Sequence, residues 1–72
     1  MQIEAINYLK KIKKYEELPI SLQEIAELRL EYPEMSLKDL GSLLENSLGK
    51  SGVNHRLKKI IEIADEAKKE NA

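Results

Sequence analysis

Residues 36–61 read SLKDLGSLLENSLGKSGVNHRLKKII, and they hold all three glycines of a chain of 72 residues. Ser36 ahead of Leu37, with Asp39 in the first turn, reads as a capped helix start whose acid suits the helix dipole. Leu37, Leu40, Gly41 and Leu44 then share one face of a helix of about two turns over LKDLGSLL. The polar run ENSLGK interrupts it, and Ser51 is the expected cap of a second helix. There Val53, Leu57, Ile60, Ile61 and Ala64 recur at i, i+4, i+7, i+8 and i+11, the period of one buried stripe. At about 100° per residue, Ser51, His55, Lys58 and Lys59 fall on the side opposite that stripe. Gly52 shares their side near the helix start, and Asn54 and Arg56 flank the boundary.

A short helix, a turn containing glycine and a longer helix with donors facing outward at its start make a helix-turn-helix, here about residues 36–67. Gly41 is expected where the two helices approach, and a side chain there would push them apart. Ser51, Asn54, His55 and Arg56 can bond phosphates or base edges, Asn54 and Arg56 matching adenine and guanine edges, while Lys50, Lys58 and Lys59 suit phosphates. Gly52 would let the helix start approach a phosphate held by free amides. Plainer readings stand beside these: Gly41 as a surface residue, His55 as a solvated polar position, and Arg56, Lys58 and Lys59 as an ordinary hydrated face.

The chain upstream continues the helical pattern. Ala5, Tyr8, Leu9 and Ile12 make one stripe over about residues 2–14. Pro19 ends that helix, and Ser21 with Glu24 three residues on reads as a capping box for a helix over residues 22–31. In it Leu22, Ile25, Ala26 and either Leu28 or Arg29 continue the stripe, until Pro33 breaks it. The last residues, EAKKENA, are expected to fray. The expectation is an all-α, four-helix single domain over residues 1–72 with an aliphatic core, since aromatics are 4% of the chain and all are tyrosines.

The formal net charge of −1 conceals a segregation. Residues 1–15 carry an excess of three positive charges, residues 16–45 an excess of six negative, residues 46–61 four positive with no acid, and residues 62–72 two negative. A polyanion is therefore steered to one face and not attracted by the whole molecule. With no cysteine and one histidine, a thiolate metal site is excluded and no metal or other cofactor is expected. Catalysis needs paired titratable groups in a cleft, and a helical chain this small offers no such pair, so no enzyme and no small-molecule substrate are expected. GKS at residues 49–51 lacks the preceding glycine of a phosphate loop. No apolar run approaches the roughly 20 residues that span a bilayer; a reducing cytoplasm, with association to the nucleoid, is the expected location. The competing reading is a protein-interaction module, in which Glu24, Glu27 and Glu31 of the second helix dock on a basic partner.

Residues 18–64, LPISLQEIAELRLEYPEMSLKDLGSLLENSLGKSGVNHRLKKIIEIA, resemble the C-terminal domain of the bacterial WhiA regulators, most distinctively at KSGVNHRL. The departures from the family pattern are Asp39 and Ser42, each for Glu, and Gly49 for Ser; the first helix resembles the family more loosely. The resemblance implies a helix-turn-helix similar to region 4 of sigma factors, excised from a longer protein whose N-terminal domain is similar to LAGLIDADG homing endonucleases. It further implies sequence-specific binding of double-stranded DNA in transcriptional control, with links to sporulation, cell division and chromosome segregation. A sigma factor or RNA polymerase is a candidate protein partner. Carried over residue by residue, the implied DNA contacts are Lys50, Ser51, Gly52, Asn54, His55, Arg56 and Lys59.

Overall fold

In the computed structural model, which describes residues 1–70, the chain is helical throughout and has no strand among the described residues. Helix α1 spans Gln2–Lys11, α2 Ile20–Glu31, α3 Leu37–Ser42 and α4 Lys50–Glu70, with a 3-10 turn at Tyr15–Glu17 between α1 and α2. The all-α, four-helix expectation holds, and several boundaries move.

The first helix stops earlier than its apolar period suggests. Lys13 adopts a left-handed φ of 62°, which lets Lys14 N–H reach back to the Leu9 carbonyl at 2.9 Å and closes the helix. Sequence signals for this closure rely on glycine or asparagine, and a lysine there costs about 1–2 kcal/mol. The buried face is Ala5, Ile6 and Leu9, with Tyr8 and Ile12 only partly buried against it. The expected stripe therefore omitted Ile6, because α1 packs against both α2 and α4 and buries more than one row.

The capping box at Ser21 and Glu24 is not formed. Pro19 occupies the cap position without a side-chain bond, and its carbonyl accepts from Leu22 and Gln23 N–H at 2.9 and 3.1 Å. Gln23 instead ties α2 to the preceding segment, its Nε2 donating to the Leu18 carbonyl at 2.8 Å. Tyr15 adds to this tie, its hydroxyl donating to the Glu27 carboxylate and approaching the Gln23 carbonyl at 3.1 Å. Lys10 Nζ completes the group at 3.3 Å from Glu27 and 4.8 Å from the centre of the Tyr15 ring.

At the end of α2, Arg29 is the stripe residue that is buried, at 6% exposure. Its Nη1 donates to the carbonyls of Met35, Pro33 and Tyr32 at 2.8, 3.1 and 3.4 Å. A cation beside the carbonyl end of a helix is favourable, and these bonds hold the turn that aims α3. Ser36 caps α3 as expected, accepting from Asp39 N–H at 3.2 Å.

Helix α3 ends at Ser42 and not at Leu44. Leu43 and Leu44 N–H bond the carbonyls of Leu40 and Gly41, only three residues back, and the chain then folds over Gly41. Leu48 N–H donates to the Gly41 carbonyl at 3.2 Å. A Cβ built on Gly41 would lie 2.0 Å from the Leu48 carbonyl oxygen and 3.0 Å from Val53 Cγ2. The surface reading of Gly41 is thus excluded. Leu40, Leu44, Val53, Leu57 and Ile60 fill the angle behind this contact, all buried. The tail expected to fray is helical as far as Glu70; the rest of that expectation, Asn71 and Ala72, lies outside the described residues.

Two outcomes follow from these contacts. Gly41→Ala forces backbone apart from backbone and should cost about 2 kcal/mol or more, lowering the melting temperature by roughly 10 °C in a circular-dichroism melt. The Tyr15 hydrogen bond, followed by Lys10, holds the Glu27 carboxyl below its ordinary range, while burial first and Glu27 second raise Tyr15 above its own. The Glu27 contribution is therefore present above the ordinary glutamate range and fades as pH falls through the lowered value. That of Tyr15 is present below the ordinary tyrosine range and fades as pH rises through the raised one. In Tyr15→Phe, the Glu27 carboxyl followed by NMR should titrate at higher pH than in the wild type. Because Glu27 is largely exposed, the accompanying stability change should be small.

Candidate nucleic-acid interface

Helix α4 is 21 residues long and divides lengthwise into two faces. Val53, Leu57, Ile60, Ala64 and Ala67 are buried, with Val53 and Ala64 fully shielded and Leu57 and Ile60 at 1% exposure. Burying each of the larger side chains is worth about 1.5–3 kcal/mol, which fixes the rotation of the helix about its axis. Lys50, Ser51, Asn54, His55, Lys58 and Lys59 are all exposed as a consequence.

The helix start differs from expectation. Val53 N–H bonds the Gly49 carbonyl at 3.1 Å, so Gly49 holds the cap position and α4 begins at Lys50. Ser51 lies inside the first turn and is not the cap. Glycine in the cap position supplies no side-chain acceptor, so the amides of Lys50, Ser51 and Gly52, which precede the first bond of the helix, receive none from it.

Gly52 is half-buried, and a Cβ on it would meet the Leu48 side chain at 3.4–3.6 Å, ordinary contact distances. Its bare side thus faces Leu48 and not open solvent, which corrects its expected place on the outer face. Leu48 is a single apolar residue within a polar turn, and no helical period marks it in the sequence. It both overlies Gly41 with its carbonyl and supports Gly52 with its side chain.

Arg56 is half-buried at the edge of α4, and its Nη1 donates to the Ser21 carbonyl of α2 at 3.3 Å. The guanidinium therefore lies toward the start of α2 instead of standing out with Asn54 and His55. Nothing in the chain signals that contact, which spans 35 positions.

The ion pairs of the described residues join Met1 to Glu4, Lys10 to Glu27, Lys14 to Glu70 and Lys69 to Glu66, and Lys68 lies 5.2 Å from the Tyr8 ring centre. None involves Lys50, Arg56, Lys58 or Lys59. The face at the start of α4 thus presents unneutralised cations beside neutral donors, whereas Lys10, Lys14, Lys68 and Lys69 are engaged. Among the described residues no group of three or more His, Cys, Asp or Glu side chains could hold a metal ion, and no helix is long and apolar enough to cross a membrane.

The Gly52 geometry makes a simple prediction. Since an added methyl finds room against Leu48, Gly52→Ala should gain the usual helix-interior advantage of about 0.5–1 kcal/mol. A thermal melt should show a rise of a few degrees, and a fall would mean that the first turn has no space for it.

The WhiA C-terminal HTH domain family matches residues 1–64, so the match includes α1 as well as the three helices behind it. The chain is 58% identical over 67 residues to the probable cell division protein WhiA of Lactococcus lactis subsp. lactis (strain IL1403), covering 93% of this chain and 22% of that protein. It is 55% identical over 67 residues to the protein of the same name from Thermoanaerobacter sp. (strain X514), covering 93% and 21%. Against that of Clostridium acetobutylicum it is 55% identical over 69 residues, covering 96% and 22%. No solved structure matches the chain. It spans about a fifth of the length of the curated relatives it matches. The helix-turn-helix geometry and this match agree, and the chain belongs to the WhiA C-terminal helix-turn-helix domain family.

Proposed function

We propose that this domain binds double-stranded DNA in a sequence-specific manner, with the amino-terminal half of α4 entering the major groove, as part of a WhiA-like regulator. The observation that carries the reading is the exposed outer face at the start of α4, where Lys58 and Lys59 stand outside every ion pair of the described residues and no acid occurs from residue 46 to residue 61. A chain of slightly negative net charge that leaves Lys58 and Lys59 free on one face, with Lys50 exposed at the helix start, is suited to meet phosphates there.

The roles follow from exposure. Asn54 reads a base edge, its amide matching adenine. His55 stands beside it and serves either a base or a phosphate. Lys50, Ser51, Lys58 and Lys59 hold phosphates, and the amides at the helix start, that of Gly52 among them, receive a phosphate oxygen; the bare side of Gly52 rests on Leu48 and has no part in that contact. For Arg56 the guanine contact expected from the sequence gives way to another role. Its bond to the Ser21 carbonyl favours the phosphate strand flanking the groove, where the start of α2 and the edge of α4 meet. The names of the relatives make cell division the process in which such binding would operate. The protein-docking reading is weakened by Glu27, one of its three acids, which is already engaged by Lys10 and Tyr15.

Selection from a random duplex pool, followed by titration of labelled protein, tests this reading. Amide shifts should centre on residues 49–59. Asn54→Ala should lose about 1–3 kcal/mol on the preferred site and relax one position of it. Arg56→Ala should weaken all duplexes alike, and Lys58→Ala should lower the salt slope by about one unit. Absence of binding at low salt, or shifts confined to α2, would remove the proposal.

A further inference from the structure

Beyond Lys59 the outer face of α4 changes sign. Placing Val53 at 0° and advancing about 100° per residue, the sector from about 140° to 240° holds Ser51, His55, Lys58 and Lys59, and Glu62 falls at about 180°, in its middle. Asp65 follows near the edge of the same sector. Both carboxylates are exposed, and neither joins an ion pair among the described residues. Lys58 stands one turn before Glu62, yet lysine ahead of glutamate at i, i+4 is the weaker order of such a pair. Glu62 therefore places an unshared negative charge at the end of a basic face.

The dimensions give that charge a consequence. From Ser51 to Glu62 the helix rises about 16 Å, whereas the major groove is about 12 Å wide. A helix seated along its whole length would set Glu62 against phosphates, while one entering by its amino end at a tilt leaves it in water. We infer that Glu62 is a specificity-determining residue, whose charge ends the DNA contact after Lys59 and makes α4 enter by its amino-terminal half alone. The inference rests on the DNA-binding reading above. It explains how a helix of this length can read a short stretch of bases without settling on any duplex through backbone attraction.

The test compares binding of a short duplex of arbitrary sequence, at about 0.1 M salt, by wild type, Glu62→Gln, Glu62→Lys and Glu70→Lys. Like charges about 4 Å apart in water oppose binding by about fivefold, so Glu62→Gln should bind about that much more tightly. Glu62→Lys should bind more tightly still, steepen the slope of log affinity against log salt by about 0.9 and extend the DNA-induced amide shifts to Asp65. Glu70→Lys makes the same change in net charge about 12 Å further along the helix, beyond the screening length of about 8–10 Å, and should stay near wild type. Equal behaviour of the two lysine variants overturns the inference. A shared gain would mean net charge alone is felt, and a shared lack of change would mean the middle of α4 never nears DNA. A wild type that does not bind DNA overturns the earlier reading and this one with it, which keeps the two failures distinct.

Discussion

The backbone of Leu48 resting on Gly41 is the constraint on which the rest depends. A turn of seven residues between α3 and α4, residues 43–49, has many ways to run. It is held to one by the Leu48 N–H bond to the Gly41 carbonyl and by the space that only a missing Cβ provides. With that contact made, Val53 drops behind Gly41, and α4 can rotate no further without exposing Val53, Leu57 and Ile60. The direction in which Asn54 and His55 face is thus set by two backbone segments touching, several residues away from either side chain.

The two faces of α4 could be read from the sequence because they depend only on helical period, and a stripe from Val53 to Ala64 admits one arrangement. Gly41 was readable for a related reason: a glycine between Leu40 and Leu44 on an apolar face has a packing explanation or none. Helix starts were less legible. Ser21 and Ser51 have the chemistry of caps but lie within helices, because the carbonyls of Pro19 and Gly49 accept the first bonds instead. Hydroxyl caps are a local preference worth about 1 kcal/mol, and the tertiary fit of α2 and α4 overrides it. The Arg56 bond to Ser21 and the left-handed Lys13 could not be read, since each depends on where a distant or following segment lies.

A second layer of polar contacts keeps this small domain in one arrangement. Arg29 binds the three carbonyls between α2 and α3, and Tyr15 with Gln23 ties the α1–α2 connection to α2. Arg29 Nε has no partner among the described residues, a cost that a purely apolar side chain would avoid. What the arginine provides is direction, because carbonyls converging on one guanidinium orient a turn that aliphatic packing alone would leave free to slide. A domain of this size buries only about 60% of its unfolded surface, so such directional contacts carry more of its uniqueness than in a larger protein.

Charge is arranged on the same principle of restricting alternatives. Outside the face of α4, Lys10, Lys14, Lys68 and Lys69 are held by Glu27, Glu70, Glu66 and the tyrosine rings, which spends their attraction inside the molecule. At the start of α4 no acid is near in sequence, and beyond Ile61 acids return. Over a screening length of about 8 Å, an approaching polyanion senses the first two or three turns of one helix and little of the slightly negative whole. Sequence discrimination needs weak attraction everywhere except at the reading face, since attraction to phosphates carries no sequence information. On the proposed DNA-binding reading, the acids that make the overall composition look unpromising for a nucleic-acid partner would confine the contact to the outer face at the start of α4.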